Sequence, residues 1–128
     1  MMNEYDVVVI GIGTAGETAA GILRDAGKKV AIIDQGPVGG TCALRGCQPK
    51  KVFVVNTQLI AETRALTGSG VASPASIDWA ALQAFKRTFT DPIPESTKSS
   101  LEESGIDVFV ERAKLTSPGE VELAESGR

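Results

Sequence analysis

The 128-residue chain contains no histidine and only two cysteines, Cys42 and Cys47. Histidine is the side chain that most often acts as a general acid or base near neutral pH, and it is the commonest metal ligand. Two cysteines without histidine cannot complete an ordinary structural zinc site unless carboxylates or a second chain supply the other ligands. These absences argue against a metal site and favour a redox function for the cysteine pair.

Long apolar runs and a strong charge of either sign are also missing. The net charge is −3, and no apolar stretch approaches the roughly 20 residues that a membrane-spanning helix needs. The sequence therefore gives no indication of a nucleic-acid or membrane partner. The N-terminal residues lack the basic and apolar regions of a signal peptide, so a cytoplasmic location is predicted. In that compartment a close cysteine pair is more often catalytic or metal-binding than a structural disulfide.

The first part of the chain has the pattern of a βαβ unit. Runs of β-branched residues predict buried strands over 5–10 and 29–34, and apolar residues at helical spacing predict a helix over 13–26 between them. Gly27 follows that helix at the position where glycine commonly ends helices. We therefore expect two neighbouring parallel strands joined by a right-handed crossover.

Further helices and short strands follow. A loop is predicted over 35–41, and helices are predicted over 49–66 and 95–104. Between those two helices, another is predicted to run through three aromatic residues that are assigned to the core: it begins at Ser76 or Asp78 and contains Trp79, Phe85 and Phe89. A third strand over 106–110 precedes an antiparallel hairpin, whose strands cover 114–116 and 120–123.

Together these elements predict an α/β fold, a Rossmann-like nucleotide-binding domain with a parallel sheet and a partial antiparallel hairpin. A doubly wound sheet normally contains more parallel strands than residues 1–128 provide. We therefore expect an incomplete domain that forms the front part of a longer protein.

A glycine-rich signature, G-x-G-x-x-G, occupies residues 11–16 between the first strand and the first helix. Gly11 allows a tight turn, Gly13 lets a pyrophosphate approach the backbone, and Gly16 permits close packing of the helix on the sheet. The helix N-terminus offers unpaired N–H groups and a partial positive charge to the phosphates. Asp34 ends the second strand, where a carboxylate can accept hydrogen bonds from an adenosine ribose. The pattern predicts a dinucleotide site for FAD or NAD, and Asp34 argues against a 2′-phosphate there.

The two cysteines lie in a glycine-flanked segment just beyond this site. Residues five apart in a regular helix cannot be joined by a disulfide, so the stretch between Cys42 and Cys47 must be irregular, and Gly46 supplies the freedom. Cys47 falls just before a helix that Pro49 is expected to open, and Lys51 lies one turn further on. A helix N-terminus and a nearby cation both lower the pKa of a thiol. This setting favours reactive thiols over buried, inert ones.

Residues 11–16, Asp34 and the run Gly39-Gly40-Thr41-Cys42-x4-Cys47-x-Pro49-x-Lys51 resemble the N-terminal part of the pyridine nucleotide–disulfide oxidoreductases. That family includes glutathione reductase, dihydrolipoamide dehydrogenase and mercuric reductase. The resemblance implies that residues 1–128 are the N-terminal part of an FAD-binding domain, and that the NAD(P)H-binding and dimerisation domains lie outside them. It also implies FAD rather than NAD at the first site, NADH or NADPH as electron donor, a small-molecule disulfide or thiol-reactive substrate, and a homodimeric full-length protein.

The resemblance further implies individual roles. Cys47 would be the thiolate nearer the flavin, Cys42 the interchange thiol that attacks substrate, and Lys51 would lie near flavin N5. Electrons would pass from NAD(P)H to FAD, then to the Cys42–Cys47 disulfide and on to substrate. No metal site is implied. The residues that the resemblance places at the cofactor are Gly11, Gly13, Thr14, Ala15, Gly16, Asp34, Gln35, Gly40, Thr41, Cys42, Gly46, Cys47 and Lys51.

Three residues depart from the usual family pattern: Leu44 and Arg45 stand where Asn and Val are usual, and Asp34 stands where Glu is usual. Arg45 could lower a thiol pKa, attract an anionic substrate or simply be solvated. Because the chain has no histidine, it cannot carry the acid–base histidine of the family, and we expect it to be inactive alone. Two alternatives remain, namely a nucleotide-binding redox sensor without catalysis and a flavin-free NAD-binding domain with inert thiols.

Overall fold

The computed structural model describes residues 3–127. Within that range the elements follow the predicted order, with one short helix added. In chain order they are β1 (Val7–Ile10), α1 (Thr14–Asp25), β2 (Val30–Ile33), α2 (Gly40–Leu44), α3 (Cys47–Ala65), α4 (Trp79–Thr90), α5 (Ile93–Glu103), β3 (Asp107–Phe109), β4 (Ala113–Ser117) and β5 (Glu120–Leu123). None of these helices is long and apolar enough to cross a lipid bilayer.

Three strands form a parallel sheet in the order β1-β2-β3. Val7 pairs with Val30 at one end of β1, and Ala31 pairs with Asp107 on the other side of β2. All four residues of the central strand β2 are buried. Among the described residues, β1 has β2 as its one neighbour, and Ile10 at its end is 54% exposed. The predicted βαβ unit and parallel sheet are confirmed.

The hydrophobic core lies on the face of the sheet that α1 and α5 cover. It is built from the sheet, from α1 and the turn before it, from the loop after β2 and from the end of α5: Ile12, Ala20, Val30, Ile32, Val38, Leu101 and Ile106. Ile12 and Ile32 are fully buried. The glycine-rich turn is therefore anchored in the core through its second residue.

The hairpin of β4 and β5 lies against the opposite face of the sheet. Its two strands pair antiparallel, which confirms the predicted hairpin. Ala31, Ile33 and Phe109 from the sheet and Val121 and Leu123 from the hairpin line a cavity of about 620 Å³ between the two layers. The residues of β2 thus alternate between this cavity and the helix-covered core, as strand geometry requires.

Helix boundaries differ from the predictions near glycine and proline. α3 begins at Cys47 rather than at Pro49. Proline is compatible with any position of the first turn, where its missing N–H has no intrahelical partner, so it does not mark the first helical residue. For the same reason α5 begins at Ile93 and accepts Pro94 in its first turn. The loop predicted over 35–41 ends earlier, because α2 starts at Gly40.

The prediction that Trp79, Phe85 and Phe89 lie in the core is wrong. Their exposed fractions are 58%, 53% and 51%. Trp79 stacks on Phe53 of α3 with ring centroids 5.5 Å apart, and Phe85 meets Phe89 edge-on at 5.1 Å. Leu82 is the large apolar residue of α4 that is buried. Helical spacing identifies an apolar face, but it does not tell whether another element covers that face.

Candidate functional site

Glycines shape the turn between β1 and α1. Gly11 has a φ of +109°, in the left-handed region that favours glycine. A Cβ on Gly16 would lie 1.9 Å from the carbonyl oxygen of Gly11 and 3.4 Å from the side chain of Val9. Glycine is therefore required at position 16 mainly because a side chain would collide with the carbonyl oxygen of Gly11 in the same turn. The close packing of the helix on the sheet, which the motif predicts, is a second reason.

The N-terminus of α1 is open at this turn. Gly13 is its N-cap residue, and no side chain caps the helix. In α4, by contrast, Asp78 Oδ1 accepts a hydrogen bond from the N–H of Ala81 at 3.0 Å. Thr14 and Ala15, the first residues of α1, are exposed. An uncapped helix N-terminus presents N–H groups and a partial positive charge, so this end of α1 fits a diphosphate.

The segment that carries Cys42 lies directly against the glycine-rich turn. Gly40, the first residue of α2, has a φ of +70°, and a Cβ on it would lie 2.6 Å from Cα of Gly13 and 3.0 Å from the carbonyl oxygen of Ile12. A Cβ on Gly13 would lie 3.9 Å from Cα of Gly40. Two backbones meet here because neither residue has a side chain. Gly13 thus has a structural function in addition to the phosphate contact that the motif predicts. Thr41 follows on α2 and is exposed.

Asp34 follows β2 directly, as predicted, and its carboxylate accepts two backbone hydrogen bonds. The N–H of Ile12 donates to Oδ2 at 2.7 Å, and the N–H of Gly36 donates to Oδ1 at 2.9 Å. Gln35, which lies between Asp34 and Gly36 in the sequence, is exposed. Each carboxylate oxygen retains acceptor capacity, so a ribose hydroxyl can still donate to it. The hydrogen bond from Gly36 to Asp34 was not predicted, although Asp-x-Gly is typical of a turn in which the aspartate binds the backbone two residues on.

The two cysteines lie on two helices separated by a short break. Cys42 is in α2, and Cys47 is the first residue of α3. Arg45 and Gly46 lie between the helices, which confirms the predicted irregular stretch. A Cβ on Gly46 would lie 3.0 Å from the carbonyl oxygen of Thr41, so glycine there lets the two helices approach. Both thiols are free, with Cys42 half-buried and Cys47 exposed.

The thiols interact with each other and with one cation. A side-chain hydrogen bond with Cys47 is the main cause that raises the pKa of the Cys42 thiol, and partial burial and the charge of Cys47 raise it further. The positive charge of Lys51 acts in the opposite direction. The guanidinium of Arg45 reaches toward a different place, because a Cβ on Gly36 would lie 3.9 Å from its Nη2. Cys42 therefore has Cys47 as its hydrogen-bond partner and Lys51, rather than Arg45, as its nearby positive charge.

The groups at this edge of the sheet fit a dinucleotide better than a metal. Residues 3–127 contain no cluster of three or more histidine, cysteine, aspartate or glutamate side chains that could hold a metal ion. The cavity of about 620 Å³ is lined by none of the predicted site residues and lies between the sheet and the hairpin. In open α/β sheets, ligands bind in the crevice beyond the carboxyl ends of the strands, which is where the glycine-rich turn, Asp34 and the thiols lie.

Comparison with known proteins gives concordant matches. The family model described as pyridine nucleotide-disulphide oxidoreductase matches residues 5–127. A dihydrolipoyl dehydrogenase from Chlamydia muridarum is 36% identical over 124 residues, covering 95% of this chain and 27% of the relative. A glutathione reductase from Burkholderia cepacia is 34% identical over 119 residues, covering 92% of this chain and 26% of the relative.

A solved structure is also similar. The Cu(II) complex of the HOCl-induced flavoprotein disulfide reductase RclA from Escherichia coli superimposes with a TM-score of 0.73 at 27% identity. The match covers 98% of this chain and 25% of that chain. The chain thus spans about a quarter of the length of each of these three proteins.

Proposed function

The chain belongs to the pyridine nucleotide-disulphide oxidoreductase family, and from this membership we propose that it forms the FAD-binding, dithiol-bearing part of an NAD(P)H-dependent disulfide reductase. Residues 1–128 would be the N-terminal part of the FAD-binding domain. Because the chain spans about a quarter of the length of its relatives, we assign NAD(P)H binding and dimerisation to parts outside these residues. The complete enzyme would be a cytoplasmic homodimer that reduces a small-molecule disulfide.

The proposal depends on one observation, the contact between the glycine-rich turn and the helix that bears Cys42. Gly40 touches Gly13 through the backbone, and Cys42 lies two residues further along α2. A cofactor held at the N-terminus of α1 therefore has the thiol pair as a close neighbour. The backbone contact therefore favours a function in which electrons pass from the cofactor to the thiols. It is less consistent with a nucleotide site and a thiol pair that act independently.

The residues that would hold FAD divide into three groups. The diphosphate would lie on the turn and the first turn of α1, at Gly11, Gly13, Thr14, Ala15 and Gly16. The adenosine ribose would lie near Asp34 and Gln35, and the flavin side near Gly40, Thr41, Cys42, Gly46, Cys47 and Lys51. Bound FAD would supply the two electrons that reduce the Cys42–Cys47 disulfide, taken in turn from NADH or NADPH.

The reduced pair would carry out thiol–disulfide exchange. In the reduced pair Cys42 is the thiol and Cys47 the thiolate; Cys42 Sγ passes its proton to the Cys47 thiolate and bonds to one sulfur of the substrate while the substrate S–S bond breaks. The second substrate sulfur leaves as a thiolate and takes the proton from Cys47. Cys47 Sγ then bonds to Cys42 Sγ and expels the first substrate sulfur, which closes the intramolecular disulfide and transfers two electrons to the substrate. The positive charge of Lys51 stabilises the thiolate form of Cys42.

The experiment that tests this proposal uses the purified chain with FAD and glutathione disulfide. Quenching of flavin fluorescence measures FAD binding, and mass spectrometry counts the thiols before and after oxidation. We expect FAD binding and reversible formation of one Cys42–Cys47 disulfide, whereas the Cys42→Ser control binds FAD but forms no intramolecular disulfide. Formation of the disulfide without FAD binding would instead support a redox-sensing module. Thiols that stay free in a chain that binds no FAD would contradict both functions.

A further inference from the structure

The carboxylate of Asp34 joins two turns that lie 22 residues apart in sequence. Its Oδ2 accepts from the N–H of Ile12 at 2.7 Å, and its Oδ1 accepts from the N–H of Gly36 at 2.9 Å. Ile12 is fully buried and Asp34 is half-buried. Both carboxylate oxygens of Asp34 therefore accept backbone hydrogen bonds, and these two bonds set the orientation of the side chain.

The hydrogen bond to Ile12 falls within the glycine-rich turn. The preceding amide, Gly11 N–H, donates to the carbonyl oxygen of Ile33 at 2.7 Å. Two successive amides of the turn are thus held at the end of β2, one by the main chain and one by Asp34. A turn with three glycines loses much conformational freedom when it is ordered. A side chain that orders it in advance reduces the free-energy cost of binding a ligand there.

We propose that Asp34 is a positioning residue, which holds the glycine-rich turn in its phosphate-binding conformation before a nucleotide arrives. The length of the side chain matters for this function. Aspartate brings one oxygen to each of the two amides, whereas glutamate, with one more methylene, displaces the carboxylate and cannot keep both contacts on an unchanged backbone. Because the affinity of the proposed dinucleotide site is involved, the role of Asp34 in binding rests on the proposed function.

A positioning role and a purely electrostatic role of Asp34 predict opposite changes in nucleotide affinity when the residue is replaced. Asp34 is an acidic residue near a site for an anion, so removal of its charge would by itself strengthen phosphate binding. Loss of the hydrogen bond to Ile12 should instead weaken phosphate binding, because part of the binding free energy is then used to order the turn. Because the lost hydrogen bond involves a charged group, we expect its removal to lower the nucleotide affinity by roughly tenfold or more.

The test compares ADP with 2′,3′-dideoxy-ADP, which lacks both ribose hydroxyls. Titration calorimetry measures both affinities for the wild-type chain and for the variants Asp34→Asn and Asp34→Glu. We expect both variants to weaken both nucleotides, because the defect lies in the turn and not at the ribose. If Asp34 acts through the ribose hydroxyls alone, the variants bind dideoxy-ADP as the wild type does, and Asp34→Glu retains ADP binding. That result would overturn the proposal.

Asp6→Asn is the matched control. Asp6 Oδ2 accepts from the N–H of Lys29 at 2.7 Å, so it joins the same two strands at their opposite ends. We expect Asp6→Asn to leave both nucleotide affinities unchanged. An equal loss of affinity in Asp6→Asn and Asp34→Asn would show a general effect of stability and would contradict a positioning role.

Hydrogen exchange of the Ile12 amide decides the proposal without any ligand. In the nucleotide-free wild-type chain the Ile12 amide should be protected. In Asp34→Ala, which leaves no side-chain acceptor for this amide, it should exchange at least tenfold faster while the amides of β2 stay protected. An unchanged Ile12 exchange rate would overturn the positioning role even if nucleotides bind. Failure of the wild-type chain to bind either nucleotide would instead contradict the proposed function, and the Ile12 exchange rates would still test the function of Asp34.

Discussion

A Cβ on Gly40 would lie 2.6 Å from the Cα of Gly13, so the glycine-rich turn and helix α2 touch through their backbones. No flexible side chain stands between them that could move aside. The contact sets the spacing between the open N-terminus of α1 and Cys42, two residues further along α2. The proposed nucleotide site and the thiol pair are in this way joined by a direct contact between two backbone segments.

The first prediction concerns this contact. Gly40→Ala should destabilise the chain more than Gly27→Ala and should abolish FAD binding. Gly27 has a similar φ of +79°, but a Cβ there would meet nothing within 4 Å. Both substitutions incur the cost of a left-handed conformation, about 1–2 kcal/mol, and Gly40→Ala adds the clash with Gly13. Urea unfolding and flavin fluorescence measure the two effects. Equal losses of stability, or FAD binding retained in Gly40→Ala, would contradict the prediction.

The second prediction concerns the raised pKa of Cys42. Cys47→Ala should lower this pKa, because it removes the hydrogen bond and the charge that raise it. Lys51→Gln should raise the pKa further, because the positive charge of Lys51 lowers it. The measurement is the pH dependence of alkylation at Cys42, and cleavage by trypsin after Arg45 places the two cysteines in separate peptides for mass spectrometry.

Lys50→Gln is the control for the second prediction. Lys50 is the exposed neighbour of Lys51 and is not among the groups that shift the Cys42 pKa. It should leave the alkylation profile of Cys42 where the wild type has it. A profile that moves equally in both lysine variants would mean that the overall charge of the helix, and not the position of Lys51, acts on the thiol.

The third prediction uses Tyr5, the single tyrosine of the chain. Partial burial and a hydrogen bond from its hydroxyl to Asp107 at 2.8 Å raise the pKa of Tyr5 to about 12. An absorbance titration of the folded chain should therefore show a midpoint near pH 12, and Asp107→Asn should lower it. Asp25→Asn, on the surface of α1, should leave it unchanged. A wild-type midpoint at the ordinary value of about 10 would contradict the hydrogen bond.

The same pKa predicts how stability depends on pH. Because the pKa is higher in the folded than in the unfolded chain, the contribution of Tyr5 is fully present below about pH 10. It is lost as the pH rises through about 12. The difference in unfolding free energy between the wild type and Tyr5→Phe should therefore shrink over this alkaline range. A difference that stays constant across it would contradict the assignment.

The fourth prediction compares two residues of α4. Leu82 is 7% exposed and Trp79 is 58% exposed. Leu82→Ala should lower the free energy of unfolding by about 2–5 kcal/mol. Trp79→Ala should cost less, because it removes mainly the stacking on Phe53, which is about 0.5–1.5 kcal/mol. Urea unfolding followed by far-ultraviolet circular dichroism compares the variants on equal terms. A larger loss in Trp79→Ala would show that α4 turns its aromatic face inward.

The parts of the fold that the sequence predicted well are those that depend on local patterns. The strand–turn–helix–strand order follows from β-branched runs on either side of the glycine motif, and these signals are complete within a few residues. The break between Cys42 and Cys47 was predictable because disulfide geometry is incompatible with an uninterrupted helix. Helix starts were less accurate, since Pro49 is tolerated anywhere in a first turn.

Features that depend on distant residues were not predictable in the same way. The bond from Ile12 to Asp34 involves a backbone amide, which has no signature in the sequence. Gly13 belongs to the nucleotide-binding signature and Gly40 to the cysteine segment. Each motif accounts for its own glycine, so neither indicates that the two residues touch. The exposure of Trp79 depends on what packs against α4, and the spacing of apolar residues along one helix carries no information about that.

The one-sided pairing of β1 has a practical consequence for all of these measurements. Its run of valines and isoleucine leaves a row of amides and carbonyls on the outer side without a strand beside it in residues 3–127. Such an edge is a template for pairing with the same strand of another molecule. Solutions of the 128-residue chain should therefore self-associate as they are concentrated, and dilution series are needed before any midpoint is attributed to a monomer.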